Sequence, residues 1–258
     1  MLNLQNKIIL ITGASSGIGE ACAKIFAASG ARLILTARRA DRLAELAQQL
    51  KDNHHTDCLT LELDVRSHCA VEKLINSLPS NWQAIDILIN NAGLALSTNP
   101  LQKGNIDEWD TMIDTNLKGL LYVSRSVLPG MILRKRGHVV NIGSVAGQDC
   151  YLNGNVYSAT KHAVRALTKS MRLDLSGEPV RVTEIAPGAV NTEFSTVRWS
   201  DKKRADAFYE DFNPLLARDI ADAVHYCVTR PLHVDIAEMT IMPTDQAACS
   251  VINRKKHI

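Results

Sequence analysis

The chain has 258 residues, of which 46% are hydrophobic and 22% are charged. This length and composition predict one compact domain with a sizeable core, and no repeat, low-complexity tract or Pro/Ser-rich linker divides the chain. The formal net charge is only +2, which excludes a broad electrostatic attraction to nucleic acid or to membranes and favours a small molecule as the partner.

The six cysteines and eight histidines show neither a CxxC pair nor any other spacing typical of a metal site. We therefore expect free thiols in a reducing compartment, and no metal. The first dozen residues lack the basic, apolar and small-residue pattern of a secretory leader. No window approaches the roughly 20 apolar residues that cross a bilayer, so the expected location is the cytoplasm and no membrane partner is expected.

Short β-branched segments alternate along the chain with longer segments of helical periodicity. Parallel neighbouring strands need a crossover between them, and the intervening helices supply it. We therefore predict a single α/β domain over residues 1–258, with a Rossmann-type, doubly wound sheet of seven mostly parallel strands and helices on both faces. The predicted strands are 7–12, 32–36, 59–63, 86–89, 138–142, 180–185 and 238–242.

A glycine-rich turn follows the first predicted strand and precedes an amphipathic run over 20–29. Without Cβ atoms, glycines let the backbone approach a pyrophosphate, whose charge is met by free N–H groups and by the positive end of the helix. The GxxxGxG spacing by itself is weak evidence for a binding site, but the flanking strand and helix favour a dinucleotide site over a structural tight turn. The residues assigned to this site are Gly13, Ser15, Ser16, Gly17, Ile18 and Gly19.

The second predicted strand ends in Ala37, Arg38 and Arg39. An NAD-selective site places a carboxylate near this position to bind the ribose 2′-hydroxyl, and none stands here. A guanidinium binds a 2′-phosphate through charge-assisted hydrogen bonds, so the sequence predicts NADP. We expect Arg38 to contribute more than Arg39 because it is closer to the strand end. The alternative is that both arginines are solvated residues at the start of a helix.

Tyr157 and Lys161 lie four residues apart in a segment of helical periodicity, so they share one helix face. An ammonium beside a phenol favours the phenolate, which would move the tyrosine pKa toward the operating pH and let the pair act as acid and base. This spacing also occurs by chance in exposed helical pairs. Ser144 follows the strand 138–142, where α/β sheets bind ligands, and its hydroxyl is expected to meet the substrate oxygen.

The longest connection without a clear strand or core helix covers 186–214, and we expect a substrate lid at 189–214. Its cationic residues include Arg198, Lys202, Lys203 and Arg204. A guanidinium fits a carboxylate through two hydrogen bonds, so Arg198 is the first candidate for binding substrate. The alternatives are a peripheral helical hairpin and an arginine that only anchors the loop.

An ordered series of motifs over nearly the whole chain resembles the short-chain dehydrogenase/reductase family. The motifs are Thr12–Gly19, Asn90–Gly93, Asn116, Ser144, Tyr157–Lys161 and Pro187–Gly188. The resemblance implies that Tyr157 exchanges the proton, that Lys161 lowers its pKa and holds the nicotinamide ribose, and that Ser144 orients the substrate oxygen. Asn116 would hold a water that links the lysine to solvent.

The same resemblance implies further contacts with the cofactor and an assembly. The additional cofactor-binding residues are Asp64, Val65, Asn90, Pro187, Gly188, Val190 and Thr192. Family members are usually tetramers or dimers that join through the long helices bearing Asn116 and Tyr157. A homotetramer or homodimer is therefore expected.

More narrowly, segments 181–188, 192–195 and 197–198 resemble the NADP-dependent 3-hydroxy acid dehydrogenases. Those enzymes oxidise serine, allo-threonine and related short 3-hydroxy acids and reduce malonic semialdehyde. Sister reductases of sugars, ketones and other carbonyl compounds share much of the scaffold, so an NADP-dependent reductase of another carbonyl is the alternative. A non-catalytic nucleotide sensor is a third possibility, but it predicts a broken proton-transfer set, and Asn116, Ser144, Tyr157 and Lys161 are all present.

Overall fold

The computed structural model describes residues 2–254. Its strands in chain order are β1 (Ile8–Thr12), β2 (Arg32–Ala37), β3 (Cys58–Glu62), β4 (Ile85–Asn90), β5 (Gly137–Ile142), β6 (Val180–Pro187), β7 (Val190–Asn191), β8 (Leu215–Leu216), β9 (Glu238–Ile241), β10 (Gln246–Ala248) and β11 (Val251–Ile252). Its α-helices are α1 (Gly17–Ala28), α2 (Ala40–His54), α3 (His68–Asn76), α4 (Ile106–Ile113), α5 (Leu120–Leu133), α6 (Asn155–Asp174), α7 (Glu193–Trp199), α8 (Lys202–Phe208) and α9 (Ala217–Val228). A π-helical turn, Asp114–Gly119, joins α4 to α5.

The central sheet has seven strands in the order β3-β2-β1-β4-β5-β6-β9, and every neighbouring pair is parallel. The predicted doubly wound α/β fold is confirmed, with each predicted strand boundary within two residues of the observed one. The remaining strands form two small pairs, β7 with β8 and β10 with β11. Because the strand order reverses between β1 and β4, a ligand crevice is expected outside their carboxyl ends.

Helices cover both faces of the sheet, and the period of two in the strands divides the core between them. Ile9 and Ile11 of β1 pack in a cluster with residues of α1, α2 and α9. Ile8 and Leu10 point to the opposite face, where the cluster contains residues of α3, α5 and α6. Strands buried on both faces read as continuous apolar runs, which explains why the sequence identified them well.

A buried arginine on the central sheet connects the sheet to α9 through hydrogen bonds. Arg181 lies on β6, is 8% exposed, and donates to the carbonyl groups of Cys227, Val228, Arg230 and Val234. The last carbonyls of a helix have no intrahelical partner, so one guanidinium satisfies several acceptors at the end of α9.

The segment 189–214, for which we expected a lid, contains β7, α7 and α8. It begins beside the carboxyl end of β6, and β7 pairs with β8 to hold its two ends together. The α7–α8 pair is therefore set over the edge of the sheet where the glycine turn lies. This placement is compatible with a lid, and the lid function itself stays a prediction.

Candidate active site

A cavity of about 610 Å³ opens at the carboxyl edge of the sheet. Its walls come from the turn after β1, the ends of β2 to β6, the start of α6, and α7 with the C-terminal segment. This location agrees with the rule that open α/β sheets bind ligands where the strand order reverses.

The glycine turn forms one end of the cavity. Gly13 has a φ of +65° and Gly17 a φ of +58°, backbone conformations that favour glycine. A Cβ on Gly13 would lie 2.9 Å from the Cα atom of Ala92, so a larger residue would fill the turn. Asn91 closes the turn from β4, because its Nδ2 donates to the carbonyl oxygens of Thr12 and Gly13 at 2.9 and 3.1 Å.

Five of the six residues predicted for this turn line the cavity, and the sixth lies behind them. The five that line it are Gly13, Ser15, Ser16, Gly17 and Ile18. Gly19 is buried behind them, where a Cβ would collide with the Gly13 carbonyl oxygen and with Asn91. The narrow turn before the positive end of α1 fits a pyrophosphate.

Both arginines after β2 line the cavity, but they differ in their surroundings. Arg39 donates to Ser16 Oγ at 2.7 Å and to Ser15 Oγ at 3.1 Å, and its Nη1 lies 3.0 Å from a carboxylate oxygen of Glu193. Arg38 is exposed. Arg39 thus braces the glycine turn, whereas Arg38 lines the cavity with an exposed side chain, and its binding of a 2′-phosphate stays a prediction.

Asp64 and Val65 line the next part of the wall. Arg66 binds the Asp64 carboxylate at 2.6 Å, and this hydrogen bond lowers the pKa of Asp64. Asn90, expected to bind cofactor, does not line the cavity. Its Nδ2 donates to Asn141 Oδ1 at 2.8 Å and to Ser124 on α5 at 2.9 Å, so it ties β4 to its neighbours. The following residues, 91–93, line the cavity instead.

Asn116 lies in the π-helical turn between α4 and α5 and is 2% exposed. Its Oδ1 accepts from the Leu94 amide at 2.8 Å, while its Nδ2 donates to the Leu94 carbonyl at 2.8 Å and to Thr160 Oγ1 at 3.1 Å. The side chain therefore links the loop after β4 to α6, one residue before Lys161. π-helical turns frequently occur at functional sites because they redirect a side chain out of the regular helix.

Tyr157, Lys161 and Ser144 converge on the cavity wall. Tyr157 and Lys161 stand one turn apart on α6, and Lys161 Nζ lies 5.9 Å from the Tyr157 ring centre. Lys161 Nζ donates to the carbonyl of Ile142 at 2.9 Å, at the end of β5. Ser144 lies two residues after Ile142, hydrogen-bonds to Tyr157, and accepts from the Ala146 amide at 3.1 Å.

The electrostatics of the pair differ from our expectation for the tyrosine. Burial raises the pKa of Tyr157, with a further increase from Tyr151, while the Ser144 hydrogen bond and the Arg198 charge lower it. Burial lowers the pKa of Lys161 itself to about 8, against an opposing effect of Glu184. The expectation that the tyrosine pKa falls toward the operating pH is therefore wrong for this structure, since burial outweighs the nearby cations.

Arg198 is the cationic residue of the 189–214 segment whose side chain faces Tyr157. Its guanidinium carbon lies 5.9 Å from the Tyr157 ring centre and 5.2 Å from that of Tyr151, and its Nη2 donates to Tyr151 Oη at 2.6 Å. The other cations of the segment point elsewhere. Lys202 pairs with Asp206 on the exposed side of α8, and Arg204 donates to Thr98. Lys203 is exposed.

Four residues at the end of β6 and just after it are predicted to contact the cofactor. These residues, Pro187, Gly188, Val190 and Thr192, all line the cavity. Thr192 also caps α7, because its Oγ1 accepts from the Phe194 amide at 3.2 Å. Phe194 then packs edge-on against Tyr157, with ring centres 5.7 Å apart.

The order of these features along the chain matches one family model. Residues 7–203 match the model described as short chain dehydrogenase. The chain belongs to this family. The predicted family membership is therefore confirmed, and the matched residues include the glycine turn, the Ser144, Tyr157 and Lys161 set, and all of α7.

Individual relatives of this short chain dehydrogenase agree with that assignment. It is 48% identical over 242 residues to the NADP-dependent 3-hydroxy acid dehydrogenase YdfG of Salmonella typhi, covering 93% of this chain and 96% of the relative. It is 47% identical to sulfoacetaldehyde reductase 2 of Chromohalobacter salexigens, covering 94% and 96%. The closed form of serine dehydrogenase complexed with NADP⁺ superposes with a TM-score of 0.90 at 45% identity, covering 96% of this chain and all of that one.

Several residues of this short chain dehydrogenase line the cavity although no sequence motif pointed to them. They include Tyr151, Gln246 and Cys249. Gln246 Oε1 accepts from the Ala189 amide at 2.8 Å, which holds the segment after β9 against the start of the expected lid. No periodicity or motif marks these residues because their role comes from contacts between distant parts of the chain.

Residues 2–254 contain neither a candidate membrane span nor a candidate metal site. No helix in that range has the length and hydrophobicity needed to span a bilayer. No group of three or more histidine, cysteine, aspartate or glutamate side chains in the same range is arranged to hold a metal ion.

Proposed function

We propose that this short chain dehydrogenase is an NADP-dependent oxidoreductase that interconverts a short 3-hydroxy acid, such as serine or allo-threonine, and its own 3-oxo acid, and that also reduces malonic semialdehyde to the matching 3-hydroxy acid. The observation that carries this proposal is the position of Arg198 beside Tyr157. A guanidinium next to the proton-transferring group fits a substrate that carries an anion a short distance from its hydroxyl.

The residues for the cofactor are those of the glycine turn, Arg38 and the cavity wall. The turn fits the pyrophosphate because its glycines leave the backbone open, and the exposed Arg38 guanidinium in the cavity wall supports binding of the 2′-phosphate. The relatives' names, which specify NADP dependence or NADP⁺ in a complex, support the same cofactor. NADP⁺ or NADPH, when bound, accepts or supplies the hydride.

The remaining chemistry falls to the protein's own side chains. In the oxidative direction, Tyr157 accepts the proton of the substrate hydroxyl, and Ser144 orients that oxygen by a hydrogen bond. Lys161 supplies a nearby positive charge and, with Asn116, connects the tyrosine to proton exchange. In the reductive direction, Tyr157 returns the proton to the carbonyl oxygen. Holding these groups in one wall aligns the reacting carbon without further rearrangement of the polar groups.

The Arg198 guanidinium is suited to bind an anion. Its Nε is buried and has no hydrogen-bond partner among residues 2–254. The aromatic rings of Tyr151, Tyr157 and Trp199 lie around it, with ring centres 5.2 to 5.9 Å from the guanidinium carbon. An unpaired buried donor destabilises the protein, and a substrate carboxylate would satisfy it. The low-dielectric surroundings strengthen such a charge-assisted bond.

The alternative function is reduction of another carbonyl compound, and a sulfonated aldehyde is the form that an observation favours. The chain is 47% identical to a protein named sulfoacetaldehyde reductase 2. A sulfonate carries the same charge as a carboxylate and also accepts hydrogen bonds from a guanidinium. The non-catalytic sensor stays a third reading, and turnover of any substrate would exclude it.

A substrate panel tests these functions. Purified protein is assayed for NADP⁺ reduction with serine, allo-threonine, other 3-hydroxy acids, polyols and secondary alcohols, and for NADPH oxidation with malonic semialdehyde and sulfoacetaldehyde. We expect the highest kcat/KM for the 3-hydroxy acids and malonic semialdehyde. A clear preference for sulfoacetaldehyde, or for uncharged alcohols, would replace the proposal by the corresponding alternative.

The role of Arg198 is tested with matched substrates in the same assay. Arg198→Ala should lower kcat/KM for serine by roughly tenfold to hundredfold, the loss of a charge-assisted contact of about 1.5 to 3 kcal/mol. It should affect an uncharged alcohol much less. Arg204→Ala is the control, because Arg204 lies on the same segment and donates to Thr98. Equal losses on acids and uncharged alcohols would show that Arg198 only anchors its segment.

We also propose that the protein is a cytoplasmic homotetramer or homodimer. All six cysteines are free thiols, which supports a reducing compartment. The helices expected to form the interface expose large apolar side chains, Leu121 on α5 and Leu173 on α6.

A further inference from the structure

A buried carboxyl group lies behind the wall that carries the proposed catalytic residues. Glu184 is on β6, is 1% exposed, and stands between Asn141 of β5 and Glu238 of β9 in the sheet register. It does not line the cavity. No sequence motif assigns a role to Glu184, and the proposed reaction does not use it.

The position of this carboxyl is set by Gly143. A Cβ on Gly143 would collide with Glu184 Oε1, so the carboxyl lies directly against the Gly143 backbone. Gly143 stands between Ile142, whose carbonyl accepts from Lys161 Nζ, and Ser144. Glu184 therefore supports, from the side away from substrate, the backbone segment that holds both Lys161 and Ser144.

The charged groups around Glu184 come from α6 and β9. On α6 they are Lys161, Arg165 and Lys169, and on β9 the group is Glu238. Arg165 binds both carboxylate oxygens of Glu238, at 3.0 and 3.2 Å, so its charge is already paired. Glu184 Oε1 is buried and accepts no hydrogen bond from residues 2–254.

The Glu184 carboxyl and the Lys161 ammonium influence each other. Burial raises the pKa of Glu184 to about 7, with a further increase from Glu238, and Arg165, Lys161 and Lys169 oppose the shift. Burial lowers the pKa of Lys161 to about 8, and the Glu184 charge opposes that shift. Each charge thus favours the other in an environment where both are poorly solvated.

We propose that Glu184 is a positioning residue for Lys161. Its buried carboxylate stabilises the charged form of the Lys161 ammonium, and it packs behind the Ile142–Ser144 segment that holds Lys161. This role rests on the proposed proton transfer by Tyr157 with Lys161. A buried carboxylate that accepts few hydrogen bonds destabilises a fold, so packing gives no reason for an acid at this position. The proposed reaction does give a reason for an acid there, because the buried Lys161 has to stay charged beside the tyrosine.

The pH dependence of kcat tests the proposal. In Glu184→Gln the anion is lost, the pKa of Lys161 falls, and the ammonium disappears at a lower pH. The alkaline limb of the kcat profile should therefore move down by about one pH unit, the lower end of the shift that an opposite charge produces. Glu184→Asp keeps a carboxylate and should restore most of the wild-type profile.

Glu238→Gln is the matched control, because it removes the neighbouring carboxylate that is paired with Arg165 and Gln148 rather than with Lys161. Its alkaline limb should stay close to that of the wild type. An unchanged alkaline limb in Glu184→Gln would overturn the proposal. So would an equal downward shift in Glu238→Gln, since the effect would then not be specific to Glu184.

Stability provides a readout that distinguishes this role from a packing role. The pKa of Glu184 is raised from its usual 4.5 to about 7, so the folded protein holds an extra proton between those values. The ionised carboxyl therefore destabilises the fold progressively as the pH rises through this range. Glu184→Gln should melt at the wild-type temperature near pH 5 and at a higher temperature near pH 8. A variant less stable than the wild type at both values would indicate packing alone.

A reciprocal experiment works even if Glu184→Gln does not fold. In protein labelled with ¹³C at glutamate carboxyl groups, the Glu184 resonance, assigned with Glu184→Asp, should titrate at a higher pH in Lys161→Met than in the wild type. An unchanged midpoint would overturn the inference. Failure of the proposed function is separable, because it would appear as a Tyr157→Phe variant with normal turnover, whatever the behaviour of Glu184.

Discussion

At the residue scale, Tyr157 has to exchange a proton in surroundings that disfavour its ionised form. Burial is the largest influence and raises its pKa, while the Ser144 hydrogen bond and the Arg198 charge act in the opposite direction. These two opposing groups come from different elements, the segment after β5 and the helix α7. Proton transfer at this position therefore depends on the tertiary contacts of the ring as much as on its own chemistry.

Tyr157→Phe should remove the exchangeable proton and leave the ring in place. Turnover should fall by at least about 10²-fold, within the range of general acid–base catalysis, while cofactor affinity changes little. Steady-state kinetics and titration of NADPH fluorescence measure the two effects. Tyr209→Phe is the control: Tyr209 lines the same cavity and its hydroxyl donates to the Val190 carbonyl, so turnover should fall much less. Near-normal turnover in Tyr157→Phe would remove Tyr157 from the mechanism.

Cofactor selection also belongs to single residues. Arg38→Ala should weaken kcat/KM for NADP roughly tenfold to hundredfold through loss of a contact of about 1.5 to 3 kcal/mol, and should leave NAD nearly unaffected. Adding Ala37→Asp should move the preference toward NAD, because the carboxylate accepts from a 2′-hydroxyl and repels a 2′-phosphate. The measurement is kcat/KM with each cofactor.

Arg42→Ala serves as the control for Arg38, because Arg42 pairs with Glu193 and does not line the cavity. Its NADP to NAD ratio should match the wild type. A wild type that prefers NAD, or an Arg38→Ala variant with an unchanged ratio, would leave Arg38 as a solvated residue at the start of α2.

At the scale of elements, side chains of one segment hold another segment in place by hydrogen bonds. Arg181 of β6 satisfies carbonyls at the end of α9, and Asn116 in the π-helical turn binds both the loop after β4 and α6. Such contacts hold the helices in register with the sheet edge that forms the cavity. They also make the stability of a helix depend on a residue outside it.

Arg181→Met should lower the free energy of unfolding by about 3 kcal/mol, because four carbonyls lose the buried guanidinium that they share. Activity at low temperature should be retained, since Arg181 does not line the cavity. Chemical denaturation measures the change. Arg218→Ala, at an exposed arginine in the first turn of α9, should change the free energy of unfolding by no more than about 0.5 kcal/mol. Equal stability of Arg181→Met and the wild type would contradict the capping role.

At the scale of the whole molecule, exposed apolar side chains lie on the helices that we expect to form an interface. Leu121 on α5 is 39% exposed and Leu173 on α6 is 76% exposed. We predict two or four chains per particle by light scattering after size exclusion, and dissociation in Leu121→Glu with Leu173→Glu because burial of the carboxylates is unfavourable. Leu101→Glu, which changes a leucine 60% exposed outside these helices, should keep the wild-type mass. A monomeric wild type would contradict the prediction.

The sequence by itself determined the strands of the sheet, the glycine turn and the Ser144, Tyr157 and Lys161 set. These features rest on local patterns: apolar runs buried on both faces, backbone angles that favour glycine, and a spacing of one helical turn. Local patterns survive folding because they describe residues close together in the chain. The resemblance to a family added the cofactor and the reaction class for the same reason, since its motifs are local as well.

Only the tertiary structure decided which distant side chains meet. It brought Arg198 beside Tyr157, directed Lys161 to the Ile142 carbonyl, engaged Arg39 with Ser15, and put Glu184 behind Gly143. It also reversed the expected direction of the Tyr157 pKa shift. The physical reason is that burial and the approach of charges depend on how helices and strands pack, and the residues that pack together are far apart in the chain.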